Sequence, residues 1–526
     1  MAGLPKVPER TLRAAYDRVL DERPDDVTQI GPDGRYTTAE HHERSLRIAA
    51  GLTALGAKRQ EPVALLLDNS LDAVHAWTGA ALGGLVEVPI NSAYKGSFLT
   101  HVLNDSGAET LIVDAPYVER VARVAADLTS LRRLVVRGPA EAVPGLDLVD
   151  FDELTAADPA PPQPLDAADL MAYMYTSGTT GRSKGVLISH AQAYTYASRE
   201  DQERPVPTDR ILVTLPLFHL AGQWYGVYQA LIHRAVCVLE PSFSVSRFWP
   251  TVREHGITTT VMLGAMAELL QQAAPLPSDS DNPLELAVMA PLASDVDGFR
   301  RRFGIELAAV YGMSEIGAVL NGPPGTIVGG ECGFARDEYE LKLVDASGNS
   351  ATAGELHVRP VDPLLVMRGY HNLPEKTAET LVDGWVHTGD AFRVDDEGRY
   401  YFSDRMKDAL RRRGENISSF EVERIVNEHP DVYESAVVAV PSALTEDEIK
   451  AVVVPREGRT IDPAELTRFL IDRLPYFMVP RYVEFAAELP KTPTQKVSKH
   501  LLRETGSGGA VWDREAAGIV LRRGDS

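Results

Sequence analysis

Residues 175–185 read Tyr175-Thr176-Ser177-Gly178-Thr179-Thr180-Gly181-Arg182-Ser183-Lys184-Gly185, and the rest of the chain is understood outward from this stretch. Three glycines, five Ser/Thr hydroxyls and a lysine share eleven positions. Glycine allows positive φ, so successive backbone N–H groups turn inward on an anion. The hydroxyls donate to phosphate oxygens, and Arg182 and Lys184 bring positive charge. Apolar runs at 170–175 and 186–189 flank the loop and predict a strand–loop–strand hairpin over a polyphosphate. A P-loop is excluded because Ser183 precedes Lys184 and Gly185 follows it. No G-x-G-x-x-G follows a predicted strand, so a dinucleotide fold has no support.

Outward from the loop, residues 12–164 alternate helical patterns with short apolar strands, as at 63–67, 71–83 and 111–113. This alternation predicts parallel α/β layers. An Ala/Pro-rich linker at 156–164 leads into the loop, and strand segments follow at 211–215, 235–239, 258–263 and 286–290. From 333 to 402 the pattern changes to short strands with Gly/Asp turns, a β-rich subdomain. Beyond Arg405, helical patterns at 419–428 and 463–474 alternate with strands at 435–440 and 450–454, a compact α+β unit.

Several further motifs, in order, complete the reading. They are Leu-Pro-Leu-Phe-His at 215–219, Tyr-Gly-Met-Ser-Glu at 311–315, Trp-Val-His-Thr-Gly-Asp at 385–390, Ser-Asp-Arg at 403–405, Arg-Gly-Glu-Asn-Ile-Ser-Ser at 413–419, and Leu-Pro-Lys-Thr-Pro-Thr-Gln-Lys at 489–496. Together with the loop they resemble the adenylate-forming superfamily of acyl-CoA synthetases, luciferases and peptide-synthetase adenylation domains, over about Tyr36 to Arg503. Glu87-Val-Pro-Ile-Asn-Ser-Ala-Tyr-Lys-Gly96, His101-Val-Leu-Asn-Asp-Ser-Gly107 and the tail at 511–515 resemble the crotonobetaine/carnitine-CoA ligase-like branch.

The resemblance implies an α/β fold: a large N-terminal domain (1–404) of layered α/β subdomains plus the β-rich subdomain, a hinge at 405–407 around Lys407, and a small mobile α+β C-terminal domain (408–526). It implies an AMP-forming ligase using ATP and Mg²⁺, with coenzyme A as the probable acceptor of the acyl group. Thr176, Ser177, Gly178, Thr179, Thr180, Gly181 and Lys184 would hold the phosphates. Tyr311 and Gly312 would border adenine, Ser314 would touch the α-phosphate, and Thr176 and Glu315 would hold the metal. Asp390 and Arg405 would contact the ribose, and His219 would lie between nucleotide and acid. Lys496 would bridge the substrate carboxylate and the α-phosphate in adenylation, whereas Gly414 would admit the pantetheine arm in thioester formation. Gln495 stands where the family usually has glycine, and the segment 287–292 lacks the family's usual glycines. Trp224, Tyr225, Gly264, Met289 and Gly312 are candidates for the acid pocket, with Met289 narrowing it toward a small or polar acid. A carrier-protein pantetheine arm as acceptor, or an unusual partner such as nitrite (diazotase chemistry), are the alternatives.

Composition limits the remaining classes. The chain has 526 residues, enough for two or more domains, and 44% hydrophobic content, normal for a folded protein. Its net charge of −22 argues against general binding to nucleic acid or anionic membranes. Apolar runs are too short for a membrane span, and the first residues lack a signal core, so a cytoplasmic location is expected. Cys237 and Cys332 make no disulfide framework and no metal spacing. Oligomeric state is not legible. Of eleven lysines, Lys184, Lys407 and Lys496 occupy motif positions, local positive islands in an acidic chain that must bind anions.

Overall fold

The computed structural model describes residues 5–176, 183–198, 205–405, 410–412, 415–417, 419–441, 447–474, 478–491, 497–504 and 511–521. Contacts divide the chain into two compact units, one of Met1–Leu341 with Val358–His387, the other of Lys342–His357 with Thr388–Ser526.

The first unit holds two sheets. In one, seven strands run in the order Asp147–Asp150, Arg133–Arg137, Thr110–Asp114, Pro62–Leu66, Val86–Pro89, Leu170–Thr176 and Lys184–Ser189. All neighbours are parallel except the last two. Every residue of Thr110–Asp114 is buried, as expected of a parallel strand covered on both faces. The other sheet runs Gly34–Thr37, Val27–Gly31, Val236–Leu239, Arg210–Val213, Thr259–Met262, Leu286–Met289 and Glu306–Met313. From Val27–Gly31 onward these strands are parallel, and Gly317–Gly322 then turns back antiparallel. The layered α/β reading is therefore realised, with strand ends within a few residues of those expected.

Local chemistry explains the helices between the sheets. Leu71–Leu82 begins where the Ser70 hydroxyl accepts from the Ala73 N–H, and every one of its residues but Asp72 is buried. Thr38–Ala54 starts with a reciprocal capping box between Thr37 and Glu40. Trp77, Leu52, Leu65, Met174, Trp224 and Tyr228 belong to one continuous apolar core.

In the second unit, the strand pair Trp385–Val394 and Tyr400–Arg405 sets Asp390 opposite Arg405. A four-stranded sheet follows, in the order Val432–Pro441, Asp447–Pro455, Tyr482–Phe485 and Trp512–Asp513. The helices Ser419–Asn427 and Pro463–Ile471 share a core with it, including Val426, Val437, Val453, Leu466 and Leu470. This is the α+β unit expected from the sequence. Among the described residues, no helix is long and apolar enough to cross a membrane.

Candidate active site

The phosphate loop springs from an antiparallel hairpin, as expected. Leu170–Thr176 pairs with Lys184–Ser189 in a register that sets Tyr175 opposite Gly185 and Thr176 opposite Lys184. Both stems are gripped by the helix Ser97–Ser106: the Tyr175 hydroxyl donates to Asp105 Oδ2 at 2.6 Å, and His101 Nε2 donates to the Ser183 carbonyl at 2.7 Å. Burial, then the hydrogen bond to Asp105, pushes the Tyr175 phenol above its ordinary range, so it stays a donor. His371 Nε2 donates to the Asp105 carbonyl at 2.9 Å and ties the segment after Gly369 to the same helix. Ser177, Gly178, Thr179, Thr180 and Gly181 lie outside the described residues.

Glu315 approaches the hairpin through a residue that the sequence did not single out. The Tyr370 hydroxyl donates to Glu315 Oε1 at 2.8 Å, while the Lys184 ammonium stands 4.2 Å from the centre of the Tyr370 ring. One tyrosine thus carries the expected metal carboxylate on its polar end and the phosphate-loop lysine on its face. A cation over an aromatic face contributes about 0.5–2 kcal/mol. Burial first, then the Glu315 carboxylate, raises the Tyr370 phenol, which keeps its proton on the hydroxyl. The backbone around Glu315 is fixed as well. Met367 N–H donates to the Glu315 carbonyl at 2.8 Å, and Gln192 Nε2 donates to the Ser314 carbonyl at 2.9 Å.

Tyr311 lies near the end of a strand that runs from Glu306 to Met313 and pairs antiparallel with Gly317–Gly322. Gly312 is required there: a Cβ would stand 2.2 Å from the Gly317 carbonyl oxygen. Ser314 and Glu315 are buried in the turn, whereas Tyr311 is half-buried. Hard oxygen donors such as Thr176 and Glu315 beside phosphates suit Mg²⁺, which takes one or two carboxylates and completes its shell with phosphate and water.

His219 stands past the C-terminal end of the parallel strand Arg210–Val213, beside strands whose ends lead to Gly264, Met289 and Tyr311. The sheet therefore gathers His219 and most acid-pocket candidates at one edge, where parallel α/β sheets bind ligands. His219 caps Leu220–Gly222, its Nδ1 accepting from the Ala221 N–H at 3.4 Å, and its ring is partly accessible. Asn69 fixes the approach to it: its amide donates to the Leu215 carbonyl at 3.0 Å and accepts from the Leu217 N–H at 2.9 Å. Next comes a wide π turn over Gln223–Tyr228, a form that plain periodicity does not reveal. Trp224, Tyr225 and Met289 are buried, and Gly264 packs against the carbonyls of Pro291 and Leu292.

Asp390 is buried in the second unit, its N–H donating to Thr388 Oγ1 at 3.1 Å. Arg405 is described through its backbone alone, and Lys407, Gly414 and Lys496 lie outside the described residues. The structure thus brings together Thr176, Lys184, Ser314 and Glu315 through Tyr370, Gln192 and Met367, and orders His219, Gly264, Met289, Tyr311 and Gly312 along one sheet edge. Tyr370, Asn69 and Gln192 were missed because none belongs to a motif dense in chemistry-bearing residues.

A Gly/Ser/Thr-rich hairpin beside a buried carboxylate, on layered α/β sheets followed by an α+β unit, is the build of an adenylate-forming ligase. The chain belongs to the AMP-binding enzyme family: residues 16–371 match that family, and residues 421–496 match the AMP-binding enzyme C-terminal domain. It is similar to the crotonobetaine/carnitine–CoA ligase of Escherichia coli O7:K1 (31% identical, covering 90% of this chain and 94% of the relative). The ligase of the same description from Salmonella typhi is 30% identical, over 89% of this chain and 93% of the relative. Among solved structures, ATP-bound MatB from Rhodopseudomonas palustris superposes with a TM-score of 0.84 at 27% identity, covering 93% of this chain and 98% of that one. The anthranilate CoA ligase AuaEII in complex with anthranoyl-AMP shares the fold, with a TM-score of 0.87 at 24% identity over 98% of this chain and 99% of that one. The chain is therefore an AMP-forming acid–CoA ligase that uses ATP, with Mg²⁺ as the metal partner of such enzymes.

Proposed function

We propose that this enzyme activates a small monocarboxylic acid with an uncharged body, and that its site residues act as their positions suggest. The observation that carries the assignment of roles is the Lys184–Tyr370–Glu315 arrangement, which sets a cation and a carboxylate on one rigid ring at the mouth of the phosphate hairpin. Joining two anions needs positioning and neutralisation above all. A lysine ~4 Å from a phosphate at an effective dielectric of ~20 contributes on the order of 4 kcal/mol.

In the first half-reaction a carboxylate oxygen attacks the α-phosphorus and the bond to pyrophosphate breaks. Lys184 and the loop hydroxyls orient the phosphates, and Ser314 donates toward the α-phosphate. Glu315 and Thr176 would hold Mg²⁺, which supplies charge neutralisation between the phosphates. Lys496 would bridge carboxylate and α-phosphate, and His219 would separate the acid from the nucleotide. In the second half-reaction the thiol of coenzyme A attacks the acyl carbon and releases AMP, with Gly414 admitting the pantetheine arm and residues 405–407 serving as the hinge between the two arrangements. Asp390 and Arg405 would contact the ribose.

The acid's class follows from the sheet edge. The segments after the strands, Leu263-Gly264-Ala265 and Ala290-Pro291-Leu292, carry no charge, and Met289 is buried beneath them. A second carboxylate or an ammonium on the substrate would find no counter-charge in these two segments. Pyrophosphate release with acetate, butyrate, hexanoate, benzoate, crotonate and malonate, with and without coenzyme A, tests this. Release that favours an uncharged monocarboxylate and grows with coenzyme A is expected. Preference for malonate would overturn the acid class, and transfer only to a carrier-protein arm would overturn coenzyme A as acceptor.

A further inference from the structure

Glu87 is a buried carboxyl that the reaction above does not use. It lies on Val86–Pro89, flanked in register by Val63 on one neighbouring strand and Ala172 on the other. Glu87 is 0% exposed and Gln223, which donates its Nε2–H to Glu87 Oε2 at 2.8 Å, is 1% exposed. Its flanking residues Val63 and Ala172 belong to the apolar core that also holds Trp224, Val227 and Tyr228. Desolvation pushes the carboxyl up to about 8, against the opposing pull of Gln223 and the nearby Trp224 indole. The acid therefore keeps its proton at neutral pH and is a neutral hydrogen-bonding group, as a buried carboxyl without a cation must be. Among the described residues, the second oxygen of each partner, Glu87 Oε1 and Gln223 Oε1, accepts no hydrogen bond, so the Gln223–Glu87 bond is the polar anchor of the pair.

What that anchor holds is the start of the π turn. Gln223 is its first residue, and Trp224 and Tyr225 follow. Both rings meet Tyr196, with centroids 6.3 Å and 5.6 Å away. Tyr196 in turn is among the nearest side chains to Gly317, at the turn that closes the Tyr311 hairpin. The turn is pinned from below as well, since a Cβ on Gly222 would stand 2.4 Å from the Pro216 carbonyl oxygen. A helix that widens to π geometry forgoes the ordinary ladder and needs such an outside partner to keep one register.

We propose that the Glu87–Gln223 hydrogen bond is a specificity-determining device, which fixes the register of the π turn and thereby aims Trp224 and Tyr225 at the acid. Glu87 is on this view a positioning residue, and the inference rests on the acid–CoA ligase reading. The pair links the sheet of the first 190 residues to the π turn that follows His219.

The test compares E87Q, E87L and the apolar pair E87L/Q223L with wild type. Acid-dependent ATP–pyrophosphate exchange is measured with acetate, butyrate, hexanoate, benzoate and crotonate. Alongside it, the ¹⁹F resonance of Trp224 is followed in 5-fluorotryptophan protein, assigned with W224F. E87L is expected to raise the KM for the preferred acid by about tenfold or more, equivalent to ~1.4 kcal/mol, to change the rank order of acids, and to leave the KM for ATP within about twofold. E87Q, which keeps an acceptor for Gln223, is expected to restore both acid KM and the Trp224 resonance. E87L/Q223L is expected to recover thermal stability without recovering acid preference. A Trp224 resonance unmoved in E87L overturns the proposal whatever the turnover, as does recovery of acid preference in E87L/Q223L, which would make the pair mere packing. Absence of exchange with every acid in wild type, with the Trp224 resonance shifted in E87L, would instead overturn the ligase reading and the assignment of this wall to acid selection.

Discussion

Tyr370 holds Glu315 with its hydroxyl and Lys184 with its ring, and the two functions are separable by chemistry. Y370F deletes the donor and keeps the face. It is expected to raise the Mg²⁺ concentration needed for half-maximal nucleotide binding several-fold, read by calorimetry with ATP, because Glu315 loses a fixed partner. Y370L removes the face too and is expected to weaken ATP binding further. Equal binding by wild type and both variants would refute the role. Glu87 gives a second residue-scale prediction. In the unfolded chain it releases its proton near the ordinary 4.5, whereas in the folded protein it holds it up to about 8. The folded state thus binds more protons between those values, and its stability falls as pH rises through that window. Glutamine never ionises, so E87Q should gain on wild type as pH rises from about 5 to about 8, by at most about 5 kcal/mol. Chemical denaturation at both pH values measures this, and a constant difference would contradict a buried neutral acid.

At the scale of elements, the proposed nucleotide chemistry rests on two hairpins. Gly312 lets the strand Glu306–Met313 come within contact of Gly317, so G312A must push the strands apart. Overpacking of this kind costs roughly 1–3 kcal/mol. G312A should lower the melting temperature and weaken ATP binding together; an unchanged ATP affinity would separate this turn from the nucleotide site. The elements also mark where sequence reading succeeds. Strand–helix alternation was legible because buried parallel strands are continuous apolar runs, and the hairpin of Leu170–Thr176 with Lys184–Ser189 because apolar runs flank its glycine- and hydroxyl-rich loop. The π turn Gln223–Tyr228 was not, since its residues after Gln223 show no polar face to set a period and its register depends on Glu87, more than a hundred positions earlier. Tyr370 and Asn69 were equally hidden: a lone tyrosine or asparagine acquires meaning only when folding places it beside Glu315 or Leu215. Glu87 was legible only as part of a branch-like motif, with nothing in its spacing to reveal that it is buried and uncharged.

At the scale of the whole molecule, the two proposed half-reactions call on different residues of the C-terminal part. K496A is expected to lose adenylation by ~10²-fold or more, comparable to removing one preorganised donor, yet to convert supplied acyl-AMP to thioester at close to the wild-type rate. G414L should show the reverse, sparing pyrophosphate exchange and blocking thiol transfer. Equal loss of both steps in either variant would contradict a hinge at residues 405–407. The most direct measurement follows oxygen atoms through the reaction. Substrate acid carrying ¹⁸O in both carboxylate positions is turned over with ATP and coenzyme A, and the nucleotide product is analysed by ³¹P NMR. Attack on the α-phosphorus followed by cleavage of the acyl carbon–oxygen bond must leave one ¹⁸O in AMP, with pyrophosphate unlabelled. Label in orthophosphate with ADP as the product would contradict the account.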